Sequence, residues 1–179
     1  MQQLFPRPGC KRSVRASLVL GVLLVAGCGF HLQGAGTLPS SMMRTYVATG
    51  DPHSEFTVSL TDVLRQRGAE VLGALEAGAA VLDINVDETG QRVLSVSSRN
   101  IPREFEVYYT VTFSLNVGAE SLIRGESLVA TRAYTYDETQ VLAKEAEEQI
   151  LREALADDLA RRVLQRIQAL GATAAVPRP

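Results

Sequence analysis

The chain has 179 residues, 18 of them basic and 20 acidic, for a formal charge of −2, and it contains no tryptophan. That length suits one domain with a real core. A charge balance this close to neutral excludes broad binding along a nucleic-acid backbone, which needs many Lys and Arg.

Arg7, Lys11, Arg12 and Arg15 precede an apolar run from Leu18 to Ala26. A basic start, a short apolar run and small residues at its end make a secretory signal peptide. The run is too short to span a bilayer, which takes about 20 apolar residues. Leu24-Val25-Ala26-Gly27-Cys28 resembles the lipobox of bacterial lipoproteins, in which cleavage falls just before the cysteine. The resemblance implies a signal over residues 1–27 and acylation of Cys28. Two or more acyl chains anchor firmly, since each buried methylene contributes about 0.8 kcal/mol. Gly29 follows the cysteine where an Asp would favour inner-membrane retention in proteobacterial lipoproteins, so the outer membrane is the expected site.

Cleavage removes Cys10 and turns Cys28 into the anchor, so the mature domain is expected to hold no disulfide, no Cys/His metal centre and no thiol nucleophile. It also removes four basic residues and no acidic one, leaving 14 against 20, or −6. Any anionic ligand must then be met by a local basic cluster.

Residues 28–41 are rich in Gly, Pro and Ser and read as a tether, with His31 near the lipid interface and Leu38-Pro39 at its end. Met42 to Thr49 is a strand candidate packed through Met43, Tyr46 and Val47, and Gly50-Asp51-Pro52 a turn. Ser54 suits a helix N-cap. Phe56, Leu60, Val63, Leu64 and Arg67 then share one helical face, and Gly68 ends the helix. Ala69 to Leu72 reads as a short extended piece.

Leu82, Ile84 and Val86 alternate with polar residues, Glu88 to Arg92 reads as a bulge or bend, and Val93, Leu94 and Val96 resume the strand. Ser97 to Pro102 is a polar turn. From Phe105 to Val117 every odd residue is apolar and nearly every even one polar, which predicts a long strand with one wet face. Tyr108 and Tyr109 fit that strand rather than a base-stacking platform. Gly118-Ala119-Glu120 predicts a hairpin turn, and Ser121 to Tyr136 the returning strand.

Asp137 and Gln140 form a capping box. The helix that follows carries a stripe of Leu142, Ala146, Ile150, Leu151, Leu155, Leu159, Val163, Ile167 and Leu170, with Gly171 as its expected end. Residues 172–179 read as a disordered tail. The expected fold over residues 42–171 is a single α+β domain. It is a mixed or antiparallel sheet of about four strands with two helices packed on one face.

No catalytic motif appears: no G-x-S-x-G elbow, no P-loop and no H-E-x-x-H. Glu104, Glu106 and Asp137 as a glycosidase pair are outweighed by the frequency of solvated carboxylates on strand edges. The expectation is a non-enzymatic protein without a cofactor or a metal.

Cys28-Gly29-Phe30-His31-Leu32, then Leu38-Pro39, the strand ending Arg132-Ala133-Tyr134-Thr135-Tyr136-Asp137, and Val141-Leu142-Ala143-Lys144-Glu145 with Glu147-Glu148 resemble the LptE family of lipopolysaccharide-assembly lipoproteins. The resemblance runs over nearly the whole mature chain. It implies a sheet with two helices, an anchor in the inner leaflet of the outer membrane, and a place as a plug inside the β-barrel protein LptD. Together the two would deliver lipopolysaccharide to the outer leaflet, with no covalent chemistry. The rival reading is an accessory lipoprotein of another barrel or of a secretin machine.

Candidate lipopolysaccharide contacts are Arg99, Arg103 and Lys144, the one lysine left after cleavage. Arginine forks and a lysine point charge suit the phosphates of lipid A. The alternative is that Lys144 pairs with Glu147 or Glu148, and that Arg99 and Arg103 balance Glu104 and Glu106.

Overall fold

A computed structural model describes residues 38–135 and 141–174. The signal, Cys28 with most of the tether, Tyr136 and the Asp137–Gln140 capping box lie outside the described residues. So do residues 175–179 and the side chain of Lys144.

Among the described residues, a 3-10 turn at Ser40–Met42 leads into β1 (Arg44–Ala48), α1 (Glu55–Gln66), β2 (Glu70–Leu72), β3 (Ala80–Val96), β4 (Pro102–Val117), β5 (Glu120–Thr135) and α2 (Val141–Ala174). The five strands form one sheet in the order β2-β1-β3-β4-β5. β1 runs parallel to β2 and β3, and the β3-β4-β5 pairings are antiparallel. One core joins both helices to one sheet face. The fold is α+β as expected, with five strands rather than about four. The short extended piece at Ala69–Leu72 is β2, the edge strand beside β1.

The first half folds on local signals. Ser54 caps α1, its hydroxyl accepting from the Thr57 N–H at 3.1 Å. Gly68 sits at φ +87°, the left-handed conformation that ends helices at little cost to glycine. Phe56, Leu60 and Leu64 are fully buried, each such side chain contributing about 1.5–3 kcal/mol. Two expectations shift. Met42, not Met43, enters the core, because the 3-10 turn rotates the chain ahead of β1, and Thr45 is the buried residue of that strand. Arg67 is the C-cap of α1 and not part of its packed face.

β4 keeps the predicted alternation. Val107, Tyr109, Val111, Phe113 and Leu115 are buried while the even positions are partly exposed. β3 does not bend at Glu88–Arg92, where pairing with β4 is regular. The irregularities flank that stretch, between Ile84 and Val86 and between Val93 and Ser95. An extra residue opposite one partner resets the two-residue period, so Leu82 and Ile84 face the core before Asn85 while Asp87 faces it after. A second bulge lies in β5 at Gly125, with φ +59°. Ser114 of β4 joins both bulges. Its hydroxyl donates to Asn85 Oδ1 at 2.9 Å and accepts from the Gly125 N–H at 3.1 Å.

α2 packs through Leu155, Ala156, Leu159, Ala160, Val163, Leu164 and Ile167. Ile150, expected in the apolar stripe, lies outside the packed face and is 64% exposed. It stands nine residues before Leu159, which at about 100° per residue is the opposite side of the helix. Ala146 is exposed as well. The helix also continues past Gly171 to Ala174, since a glycine inside a helix costs only about 1 kcal/mol against alanine. Ser59 of α1 donates to Asp157 Oδ1 of α2 at 2.6 Å, and Gln149 reaches Glu55 at 3.4 Å.

Candidate functional site

The β3–β4 hairpin carries two of the sequence-predicted cations. Its turn is tight. The Ser97 N–H bonds the Ile101 carbonyl at 2.7 Å, the Ile101 N–H bonds the Ser97 hydroxyl at 3.1 Å, and Asn100 adopts φ +60°. Asparagine tolerates this region better than most residues. Arg99 lies exposed at this tip. Arg103 is exposed on β4, where its odd register places it on the face shared with Phe105 and Val107.

The carboxylates expected to neutralise these arginines have other partners. Glu106 accepts from Arg92 Nε at 2.6 Å, and Glu104 accepts from the Ser95 hydroxyl at 2.8 Å. On α2, Glu148 is paired with Arg152. Among the described residues neither Arg99 nor Arg103 forms an ion pair.

Arg99 and Arg103 lie in one row along the hairpin end, and the side chain of Lys144 lies outside the described residues. β5 ends at Thr135, opposite Glu104, and α2 begins at Val141, so the helix starts toward the hairpin end. Gln149 contacts Glu55, while Ser54 next to it bonds Asp87, which sets Gln149 near the level of Asp87.

Apolar side chains accompany this row. Val93, Leu94 and Val96 near the end of β3 are 47, 48 and 52% exposed. Below them Phe105 and Tyr134 stack at 5.7 Å, and the Tyr134 hydroxyl donates to Gln91 Oε1 at 3.0 Å. The hairpin end thus offers arginine charge beside exposed valine and leucine, a surface suited to a molecule with anionic groups and acyl chains. The apolar half of that surface is visible in the sequence as Val93-Leu94-Ser95-Val96, but nothing local reveals that these side chains stay exposed.

Among the described residues, the opposite face of the sheet, with Thr110, Thr112, Ser114 and Asn116 on β4, carries no helix. On that face Tyr108 lies over Gly90. A Cβ added at Gly90 would stand 2.5 Å from the Tyr108 hydroxyl.

Residues 42–167 match the family model LptE, described as lipopolysaccharide-assembly. The chain is 26% identical over 155 residues to the LPS-assembly lipoprotein LptE of Photorhabdus laumondii, covering 84% of this chain and 82% of the relative. It is 25% identical over 156 residues to the protein of that name from Yersinia enterocolitica, covering 84% and 72%. The fold is similar to lipoprotein B from Nitrosomonas europaea, with a TM-score of 0.65, 29% identity, and coverage of 82% of this chain and 94% of that one. The rare lipoprotein B of Shewanella oneidensis also superposes with a TM-score of 0.65, at 20% identity, over 74% of this chain and 99% of that one. With its sheet, both helices and most of its length inside the match, the chain belongs to the LptE lipopolysaccharide-assembly family.

Proposed function

We propose that the chain is a non-enzymatic lipoprotein of the outer membrane, anchored at Cys28 on the periplasmic side, that plugs and helps assemble the β-barrel LptD. In that place it takes part in delivering lipopolysaccharide to the outer leaflet. The observation that carries this reading is the family match over residues 42–167. The lipobox before Cys28 supplies the anchor. The sheet face away from the two helices, lined by Thr110, Thr112, Ser114 and Asn116, suits the polar lumen of an outer-membrane barrel.

Arg99, Arg103 and Lys144 are the proposed lipopolysaccharide contacts. Arg99 and Arg103 are exposed at the hairpin end, where arginine forks suit phosphate groups. The exposed Val93, Leu94 and Val96 are the natural neighbours of the ligand's acyl chains. Affinity purification of the tagged full chain from detergent-solubilised outer membranes tests the partner. Recovery of LptD in stoichiometric amount is expected. Recovery of a different barrel or a secretin would refute the assignment.

A further inference from the structure

We infer that the cleft between α1 and the β1–β2 edge of the sheet binds one sugar residue of a saccharide. The inference rests neither on the lipopolysaccharide-assembly role nor on the hairpin end.

The cleft opens where β1 and β2 end. Parallel strands joined through a helix leave a crevice at their carboxyl ends, a common place for a ligand. Here the crevice encloses about 400 Å3. Thr49 follows β1 and Gly73 follows β2, while Thr57, Thr61 and Arg65 of α1 form the facing wall.

The sequence makes the gap. Thr57, Thr61 and Arg65 stand four residues apart and so share one side of the helix. Phe56, Leu60 and Leu64, one residue before each, fill the core. Threonine is a weaker helix former than leucine, yet it occupies the two positions where a longer apolar side chain would intrude into the cleft. Gly73 keeps the far side open, since a Cβ added there would meet nothing within 4 Å.

The lining selects the ligand. The Thr49 and Thr57 hydroxyls meet at 3.3 Å, and Thr57 is 4% exposed. Among the described residues, the hydroxyls of Tyr46 and Thr61, which also line the cleft, have no hydrogen-bond partner. Groups that both donate and accept suit the hydroxyls of a sugar. Val47 and Val71 offer an apolar wall, and Tyr46 an aromatic ring, for the C–H face of a pyranose. Arg65 is exposed and touches Asp62 at 3.5 Å. Its fork can take two neighbouring hydroxyls, or one acid group on the sugar. One cation shared with a carboxylate does not suit the phosphates of a nucleotide. The lining holds no carboxylate for a divalent cation. An acyl chain would leave the hydroxyls without partners.

Equilibrium dialysis of the full chain, held in a sugar-free detergent, tests the cleft with two lipid-free probes. One is the core oligosaccharide released from lipopolysaccharide by mild acid. The other is a peptidoglycan disaccharide released by a muramidase. Saturable binding of either, with a dissociation constant at or below about 1 mM, supports the proposal, and the probe that binds identifies the source of the sugar. Thr61→Leu should weaken that binding at least about tenfold by occupying the space. Leucine is the better helix former, so the variant should melt no earlier than wild type. Arg65→Gln should weaken binding about threefold to tenfold, the loss of one hydrogen bond. Arg99→Asp, at the hairpin end, should bind the probes like wild type. Failure of both probes to bind wild type would overturn the proposal. Wild-type affinity in a folded Thr61→Leu or Arg65→Gln variant would overturn it too. A loss in Arg99→Asp with none in Thr61→Leu would likewise overturn it, and would move the sugar to the hairpin end.

Discussion

The hydroxyl of Tyr109 donates a 2.7 Å hydrogen bond to Oδ1 of Asp87. The other carboxylate oxygen accepts from the Ser54 hydroxyl at 2.5 Å, and Ser54 caps α1. One carboxylate on β3 therefore fixes a buried tyrosine of β4 and the first turn of the helix packed above them. Asp87 reaches this position because the bulge at Asn85 turns it toward the helices.

Tyr109→Phe keeps the ring and removes the donor. It should cost about 1.5–3 kcal/mol, the range for a hydrogen bond to a charged group. Burial, and then the bonded Asp87 carboxylate, push the Tyr109 hydroxyl well above the usual tyrosine range. The folded chain thus holds this proton more tightly than the unfolded chain does. Its contribution is full below about pH 10, the unfolded value, and is lost as pH rises toward the folded one. Urea unfolding between pH 8 and 11 should show wild type losing more stability with rising pH than Tyr109→Phe. Parallel losses would contradict the assignment.

Phe113 and Leu155 are buried on facing elements, while Thr112 lies on the open face. Phe113→Ala should cost about 3–5 kcal/mol, a large part of the stability of an ordinary domain. Thr112→Ala should cost less than about 1 kcal/mol, as surface changes do. Chemical denaturation of the two variants compares them directly, and equal losses would reverse the two faces of the sheet.

Much of this architecture was legible because its signals are local. The odd-numbered apolar run of β4, the Ser54 cap and Gly68 each specify an element within a few residues. β3 was read less well, because a bulge leaves no mark on composition. Asn85 looks like any wet-face residue until Ser114 is seen bonded to it. Ile150 was misplaced because a long helix of mixed composition admits more than one stripe, and only packing against α1 and the sheet selects one. At the candidate site, Arg99 and Arg103 stood out as cations near a turn. That Glu104 and Glu106 bond Ser95 and Arg92 instead depends on the β3–β4 register, which the irregularities in that pairing set.

Arg99→Asp combined with Lys144→Asp should weaken lipopolysaccharide binding by the purified chain, and rising salt should weaken binding by wild type as screening shortens the reach of the charges. Arg99 is exposed at the hairpin turn, and a melting curve should show the double variant folded and still co-purifying with the proposed barrel. Undiminished binding by the folded double variant would move the lipid contact to another part of the surface.

Surface delivery of newly made lipopolysaccharide, followed by pulse labelling in cells depleted of this chain, tests the central claim most directly. The account predicts that labelled lipopolysaccharide fails to reach the outer leaflet and that the wild-type chain restores it. Undiminished delivery in depleted cells would contradict a role for this chain in lipopolysaccharide assembly.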